Sequence, residues 1–194
     1  MGKLLLIMGD IAAGKSTFAN ILSKRYDTNI FFKDSIKEVL GDAIGFQNRE
    51  ENKKLSKAAE ELLFFIFSEF GKLNKNLILE SNFHTAQIER LHKLAHENNY
   101  EILTLVLQGD VEILHRRYLN RINNENRHPV HLSKTLDNFD DFKKCADYLR
   151  KAEIIGNSIY ISADDFSYQT DESILGKIDE FVKGVIGGDN TCIL

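Results

Sequence analysis

Residues Gly9-Asp10-Ile11-Ala12-Ala13-Gly14-Lys15-Ser16 spell G-x-x-x-x-G-K-[ST], and Thr17 follows. The chemistry of that spacing is phosphate binding. Glycines let successive backbone N–H groups turn inward on phosphate oxygens with no Cβ in the way, and a helix opening at the same point adds partial positive charge. In such a loop Lys15 reaches β- and γ-phosphates, and the Ser16 hydroxyl is a ligand for Mg²⁺. The expected nucleotide-binding set is therefore Gly9, Asp10, Ile11, Ala12, Ala13, Gly14, Lys15, Ser16 and Thr17. The competing reading is a plain glycine turn between two core elements.

Further residues could complete a reaction centre. Lys33-Asp34 end a second apolar run. From there Asp34 either accepts a hydroxyl proton from an acceptor or caps the helix that opens at Ser35, and spacing leaves both open. Glu80 follows Leu77-Ile78-Leu79. An apolar run ending in an acid is the Walker B layout, which makes Glu80 a second candidate for Mg²⁺ beside Ser16. Ser81 and Asn82, with Phe83 and His84, follow it and are expected in an acceptor pocket. Arg117 and Arg121 lie one helical turn apart and share a face, whereas Arg116 points elsewhere and reads as solvated. With Arg127 in the polar stretch beyond, they could close over a nucleotide and offset charge on a transferred phosphoryl group. His84, His92, His96, His115 and His131 show no zinc spacing and read as surface or loop residues.

These residues need elements to hold them. Apolar runs at 4–8, 30–32, 77–79, 102–107 and 158–161 alternate with helical stretches, the α/β signature. Being apolar throughout, they fit a parallel sheet buried on both faces. Helices are expected at 17–26, 35–40, 49–73, 87–97, 111–121, 135–151 and 171–186. The centre of the longest, Leu62-Leu63-Phe64-Phe65-Ile66-Phe67, is apolar nearly all round and reads as core. With the helix before it, it would form a flap over the strand ends. Residues 122–133 read as a mobile segment and 187–194 as a loose tail.

The chain of 194 residues is 43% hydrophobic, enough for one α/β domain spanning 1–194. Its 25 basic and 29 acidic residues are well mixed and give a net charge of −4, which disfavours a long polyanionic partner such as nucleic acid. Cys145 and Cys192 have no metal-type spacing. The apolar start is too short for a membrane span. A cytoplasmic protein, a monomer or weak dimer, is expected.

The succession GDIAAGKST, FFKDSIKEVL, LILESNFH and RRYLNR…NRHPVH resembles the small P-loop kinases related to nucleoside-monophosphate kinases. Within them it is most similar to the zeta-toxin, chloramphenicol-phosphotransferase and polynucleotide-kinase-like group, on the strength of its K-D-x-x-K-E and R-H-P elements. The similarity covers about residues 4–131. It implies a P-loop three-layer sandwich with five parallel strands in order 2-3-1-4-5 and a helical lid at about 117–134. It also implies ATP with Mg²⁺ as donor, Asp34 as the acceptor-activating aspartate, and Arg117, Arg121 and Arg127 in or beside the lid. The acceptor would be a small molecule bearing a hydroxyl. Members of the group phosphorylate antibiotics, nucleotide sugars or nucleic-acid 5′-hydroxyls, and Glu80 departs from their plain Walker B aspartate.

Two other classes compete. A GTPase switch would need D-x-x-G after a strand and N-K-x-D; Asp42-Ala43-Ile44-Gly45 follows no strand, and Asn74-Lys75-Asn76-Leu77 lacks the final Asp. A nucleotide-binding regulatory module without turnover would have no use for Asp34 and the arginines.

Overall fold

Strand β1 (Gly2–Gly9) runs through the centre of a five-stranded, all-parallel sheet of order β2-β3-β1-β4-β5. The computed structural model describes residues 1–125, 127–131 and 135–184. The expected tail at 187–194, the end of the last helix, and residues 126 and 132–134 of the expected lid lie outside these. The other strands are β2 (Asn29–Phe32), β3 (Leu77–Glu80), β4 (Tyr100–Gln108) and β5 (Asn157–Ser162).

Alternation along the central strands sorts side chains onto two faces. Leu5 and Ile7 join Phe18, Leu22, Leu103, Leu105, Leu114 and Phe142 in one core layer. Leu4, Leu6 and Met8 join Leu63, Phe64, Phe67, Leu79 and Ile102 in the other. Both faces are covered, as the unbroken apolar runs require. The edge strand β5 departs from this: Tyr160 is 61% exposed.

Seven α-helices are described: α1 (Lys15–Tyr26), α2 (Lys33–Ile44), α3 (Arg49–Gly71), α4 (Thr85–Glu97), α5 (Val111–Asn124), α6 (Phe139–Leu149) and α7 (Glu172–Lys183). None among the described residues is long and apolar enough to cross a membrane. Several start where a side chain accepts from free first-turn amides: Asn48 for α3, Asp110 for α5, Asn138 for α6 and Asp171 for α7.

Three expectations are corrected here. Helix α6 starts at Phe139, not at 135, because Asn138 satisfies its first amides. Helix α3 is not core all round: Leu63, Phe64 and Phe67 are buried, but Phe65 is 60% and Leu62 38% exposed. A helix on the outside of a sheet can bury only one stripe. His115 is not a surface residue; it is buried against Phe139 and Phe142 and bonded to the Asp137 carbonyl.

Candidate active site

The sheet register brings the chemistry together. Ile7 of β1 pairs with Glu80 of β3, and Glu80 pairs with Phe32 of β2. Two residues beyond Ile7 the phosphate loop begins, and two beyond Phe32 lies Asp34. Loop, acid and aspartate thus stand side by side at the carboxyl ends of adjacent parallel strands, where α/β folds bind ligands.

The loop has the backbone of an anion nest. Gly9, Ala12 and Gly14 take φ of 127°, 62° and 83°, turning successive amides to one side. Gly9 is also fixed by space, since a Cβ there would lie 2.0 Å from the Leu107 carbonyl oxygen. Lys15 Nζ donates to the carbonyls of Asp10 (2.7 Å) and Gly9 (3.2 Å). Burial pushes the Lys15 pKa down, against the pull of Glu80, Asp34 and Asp10. The Ser16 hydroxyl donates to Glu80 Oε2 at 3.0 Å. Burial pushes the Glu80 carboxyl up, while Lys15 opposes this.

Around them opens a cavity of about 680 Å³. Its walls include Ile11–Thr17 of the loop, Lys33 and Asp34, Glu80–Asn82, and Arg117, Arg121 and Arg127. Most of the expected site residues therefore face one space. The exceptions are Gly9, Asp10, Phe83 and His84: Phe83, expected in the acceptor pocket, is 2% exposed and packs in the core layer with Leu79 and Ile88, and His84 stands at the N-cap of α4. Asp10 is 1% exposed and turns to the far side of the loop. There its carboxylate accepts from Arg150 Nε (3.1 Å), Arg150 Nη2 (2.6 Å) and the Gly109 amide (3.1 Å). Arg150 Nη2 also donates to the Gly109 carbonyl at 2.6 Å. Asp10 is thus a strut under the loop, and its partner carried no motif in the sequence.

Of the two readings of Asp34 left open above, the structure removes the capping one. Helix α2 begins at Lys33, not Ser35; Phe32 is its N-cap position and makes no side-chain cap. Asp34 sits inside the first turn, facing the cavity, and makes no hydrogen bond among the described residues. A carboxylate with both oxygens open to the cleft is free to accept from a bound hydroxyl.

The three arginines are not equivalent. Arg117 donates to the Ala163 (2.5 Å) and Asp164 (2.6 Å) carbonyls and lies 4.3 Å over the ring of Phe166. Arg121 pairs with Glu125 at 3.1 Å on the exposed side of α5. Arg127 is half-buried and has no hydrogen-bond partner among the described residues. Burial and the neighbouring Arg121 push its pKa down, while Tyr118, Asp34 and Glu125 oppose this. Arg116 is exposed, as expected. Phe166, not singled out in the sequence, and His131, read there as a surface or loop residue, also line the cavity. Phe166 follows Ala163-Asp164-Asp165, just past β5, so its position after a strand end is the signal that could have found it.

Magnesium suits the donors present. The Ser16 hydroxyl and the Glu80 carboxylate are hard oxygen ligands already in contact, and Mg²⁺ takes few protein ligands because phosphate and water supply the rest. No cluster of three or more His, Cys, Asp or Glu able to hold a metal by itself occurs among the described residues.

No family model matches the chain, and no curated protein matches it. Solved structures do. A protein from Chloroflexus aurantiacus described as a candidate kinase superposes with a TM-score of 0.80 at 22% identity, over 93% of this chain and 98% of that one. Kti12 from Chaetomium thermophilum, in complex with ADP-AlF3, gives 0.65 at 15% over 92% and 98%. Shikimate kinase from Bacteroides thetaiotaomicron gives 0.54 at 18% over 93% and 98%. At such identities the likeness is one of fold: the chain has a P-loop kinase-like fold, with the strand order 2-3-1-4-5 expected from the sequence.

Proposed function

We propose that the protein is an ATP-dependent kinase that transfers the γ-phosphoryl group of Mg-ATP to a hydroxyl of a small-molecule acceptor. The observation that carries this is the convergence of an anion nest, a Ser16–Glu80 pair and an unengaged carboxylate, Asp34, in one cleft. A nucleotide-binding module needs the first; only transfer to an acceptor has a use for the last.

The loop amides and Lys15 bind the β- and γ-phosphates, with Lys15 leaving the Gly9 and Asp10 carbonyls to do so. Ser16 and Glu80 would hold magnesium, which would supply charge neutralisation at the phosphates. Asp34 accepts the acceptor's hydroxyl proton as its oxygen bonds to the γ-phosphorus. The bond from that phosphorus to the bridging oxygen breaks, and ADP leaves with the electron pair. Arg121 and Arg127 offset charge on the phosphoryl group in flight. Arg117, committed to the β5–α7 loop and to Phe166, serves instead as a rigid wall for the nucleotide.

Ser81 and Asn82 border the acceptor side. The Asn82 side-chain oxygen is buried without a partner among the described residues, an acceptor ready for a ligand donor. The resemblance of K-D-x-x-K-E and R-H-P to the zeta-toxin and chloramphenicol-phosphotransferase group supports the same reading. The D-x-x-G of a switch protein does not: Asp42 lies near the end of α2 and binds His128.

The direct test is ATP consumption by the purified chain across nucleosides, sugars, aminoglycosides and oligonucleotides. Phosphorylated product from any hydroxyl acceptor supports the reading. ATP binding with no turnover across the whole panel would sink it in favour of a regulatory module.

A further inference from the structure

Within the stretch expected to be mobile, the described residues 127–131 are docked. Residues 127–131, with the 3-10 turn Pro129–His131, lie as a strap on α2 and α3. The Val130 side chain is 1% exposed and sits over Gly41 of α2. Its carbonyl accepts from Asn52 Nδ2 of α3 (2.8 Å) and from Lys37 Nζ of α2 (3.2 Å). Two histidines flank it: His128 Nε2 meets Asp42 at 2.9 Å and His131 Nε2 meets Glu38 at 2.7 Å. The Val130 amide donates to His128 Nδ1 at 3.3 Å. The ring proton of neutral His128 is thereby on Nε2, aimed at Asp42.

Gly41 is the telling residue. It lies inside a helix, where glycine costs about 1 kcal/mol relative to alanine, and its φ is ordinary. What it offers is space: a Cβ there would stand 2.5 Å from Val130 Cγ1. The helix gives up intrinsic stability so that the strap can seat.

The strap begins with Arg127, half-buried, without a hydrogen-bond partner among the described residues, and lining the same cavity as Asp34. Asp34 and Lys37 share a face of α2, one turn apart. The strap therefore ties an arginine of the lid to the helix that bears the acceptor carboxylate. We infer that Gly41, as socket, and Asn52 and Lys37, as anchors, are positioning residues that hold Arg127 at the transfer point. The inference rests on the kinase reading of Arg127. Docked on α2–α3, the strap also puts Arg127 and His131 in the cavity wall, which favours a compact acceptor over a threaded polymer.

The test uses ADP with magnesium and aluminium fluoride, a mimic of the phosphoryl group in flight that needs no acceptor. Affinities for Mg-ADP alone and with aluminium fluoride are measured by calorimetry on the full chain and on Arg127→Ala, Gly41→Ala and their combination. Gly41→Ala should fold as well as the parent by circular dichroism and thermal melting, because alanine favours helix. It should bind Mg-ADP within about twofold of the parent. Its affinity for the aluminium fluoride complex should fall at least about tenfold, as should that of Arg127→Ala, and the double variant should be no worse than either. Adding Val130→Ala to Gly41→Ala removes the clashing methyls and should recover most of the loss. If Arg127→Ala weakens the mimic but Gly41→Ala does not, or the two losses multiply, the strap inference is overturned alone. If Arg127→Ala has no effect, or Mg-ADP does not bind, the kinase reading of Arg127 falls and the inference with it.

Discussion

At the scale of single residues, the cleft separates donor binding from acceptor activation. Lys15→Ala removes the cation that meets the phosphates and should weaken ATP binding and transfer together, by about 10²–10³-fold in rate. Asp34→Asn keeps shape but loses the proton acceptor. It should cut transfer by about 10²–10⁴-fold and leave ATP affinity near that of the parent, as equilibrium titration beside a product assay would show. Full transfer by Asp34→Asn would refute its role as base. Glu80 carries a pH signature. Burial raises its pKa, so protons compete with magnesium at a higher pH than for an ordinary glutamate. Magnesium-dependent nucleotide affinity should therefore rise from weakly acidic to neutral pH, and Glu80→Gln should be weak and flat over that range. The stability of the free protein runs the other way for this group. A raised carboxyl contributes stability that is full below its unfolded pKa and is lost as pH climbs through the folded one.

Elements turn these residues into a site, and two contacts do most of that holding. One is the strut beneath the phosphate loop. Arg150 closes α6 and reaches back to Asp10 and Gly109, linking the loop after β1 to the loop after β4. Arg150→Ala leaves Asp10 buried with the Gly109 amide alone. Breaking a wholly buried pair costs about 3–5 kcal/mol, and the 31% exposure of the Arg150 side chain puts the expected loss at about 2–3 kcal/mol. Urea denaturation measures it, and a value near zero would show that the strut holds nothing. The other contact is helix α3, whose two faces differ. Phe67→Ala empties a fully buried position and should cost about 3–5 kcal/mol, whereas Phe65→Ala on the exposed face should stay within about 0.5 kcal/mol.

For the whole molecule, the sheet order decides where ligands go. With β1 between β3 and β4, the chain reverses direction across the sheet beside the phosphate loop, and a crevice opens there. The acidic balance of the chain and the strapped cleft both disfavour a polynucleotide acceptor. Oligonucleotides should show little or no binding at moderate salt, and small hydroxyl compounds should be the acceptors in a turnover screen. Tight oligonucleotide binding that weakens steeply with salt would point to a polymer substrate instead.

The sequence by itself determined the phosphate loop, the five strands and the α/β class, because those rest on local spacing: four fixed positions in a loop, and runs of apolar residues separated by helical periods. It placed Asp34 and Glu80 at strand ends for the same reason. It missed Arg150, which has no local pattern and reaches the loop from 140 residues away, and Phe166, whose only signal was its place just past a strand end. It left Asp34 divided between capping and catalysis, since the helix start at Lys33 depends on how β2 meets its neighbours. Only the tertiary structure turned Asp10 away from the cleft, separated Arg117 from Arg127, and set Val130 over Gly41. Those outcomes depend on which surfaces meet across the fold, a matter of contacts between residues far apart in the chain.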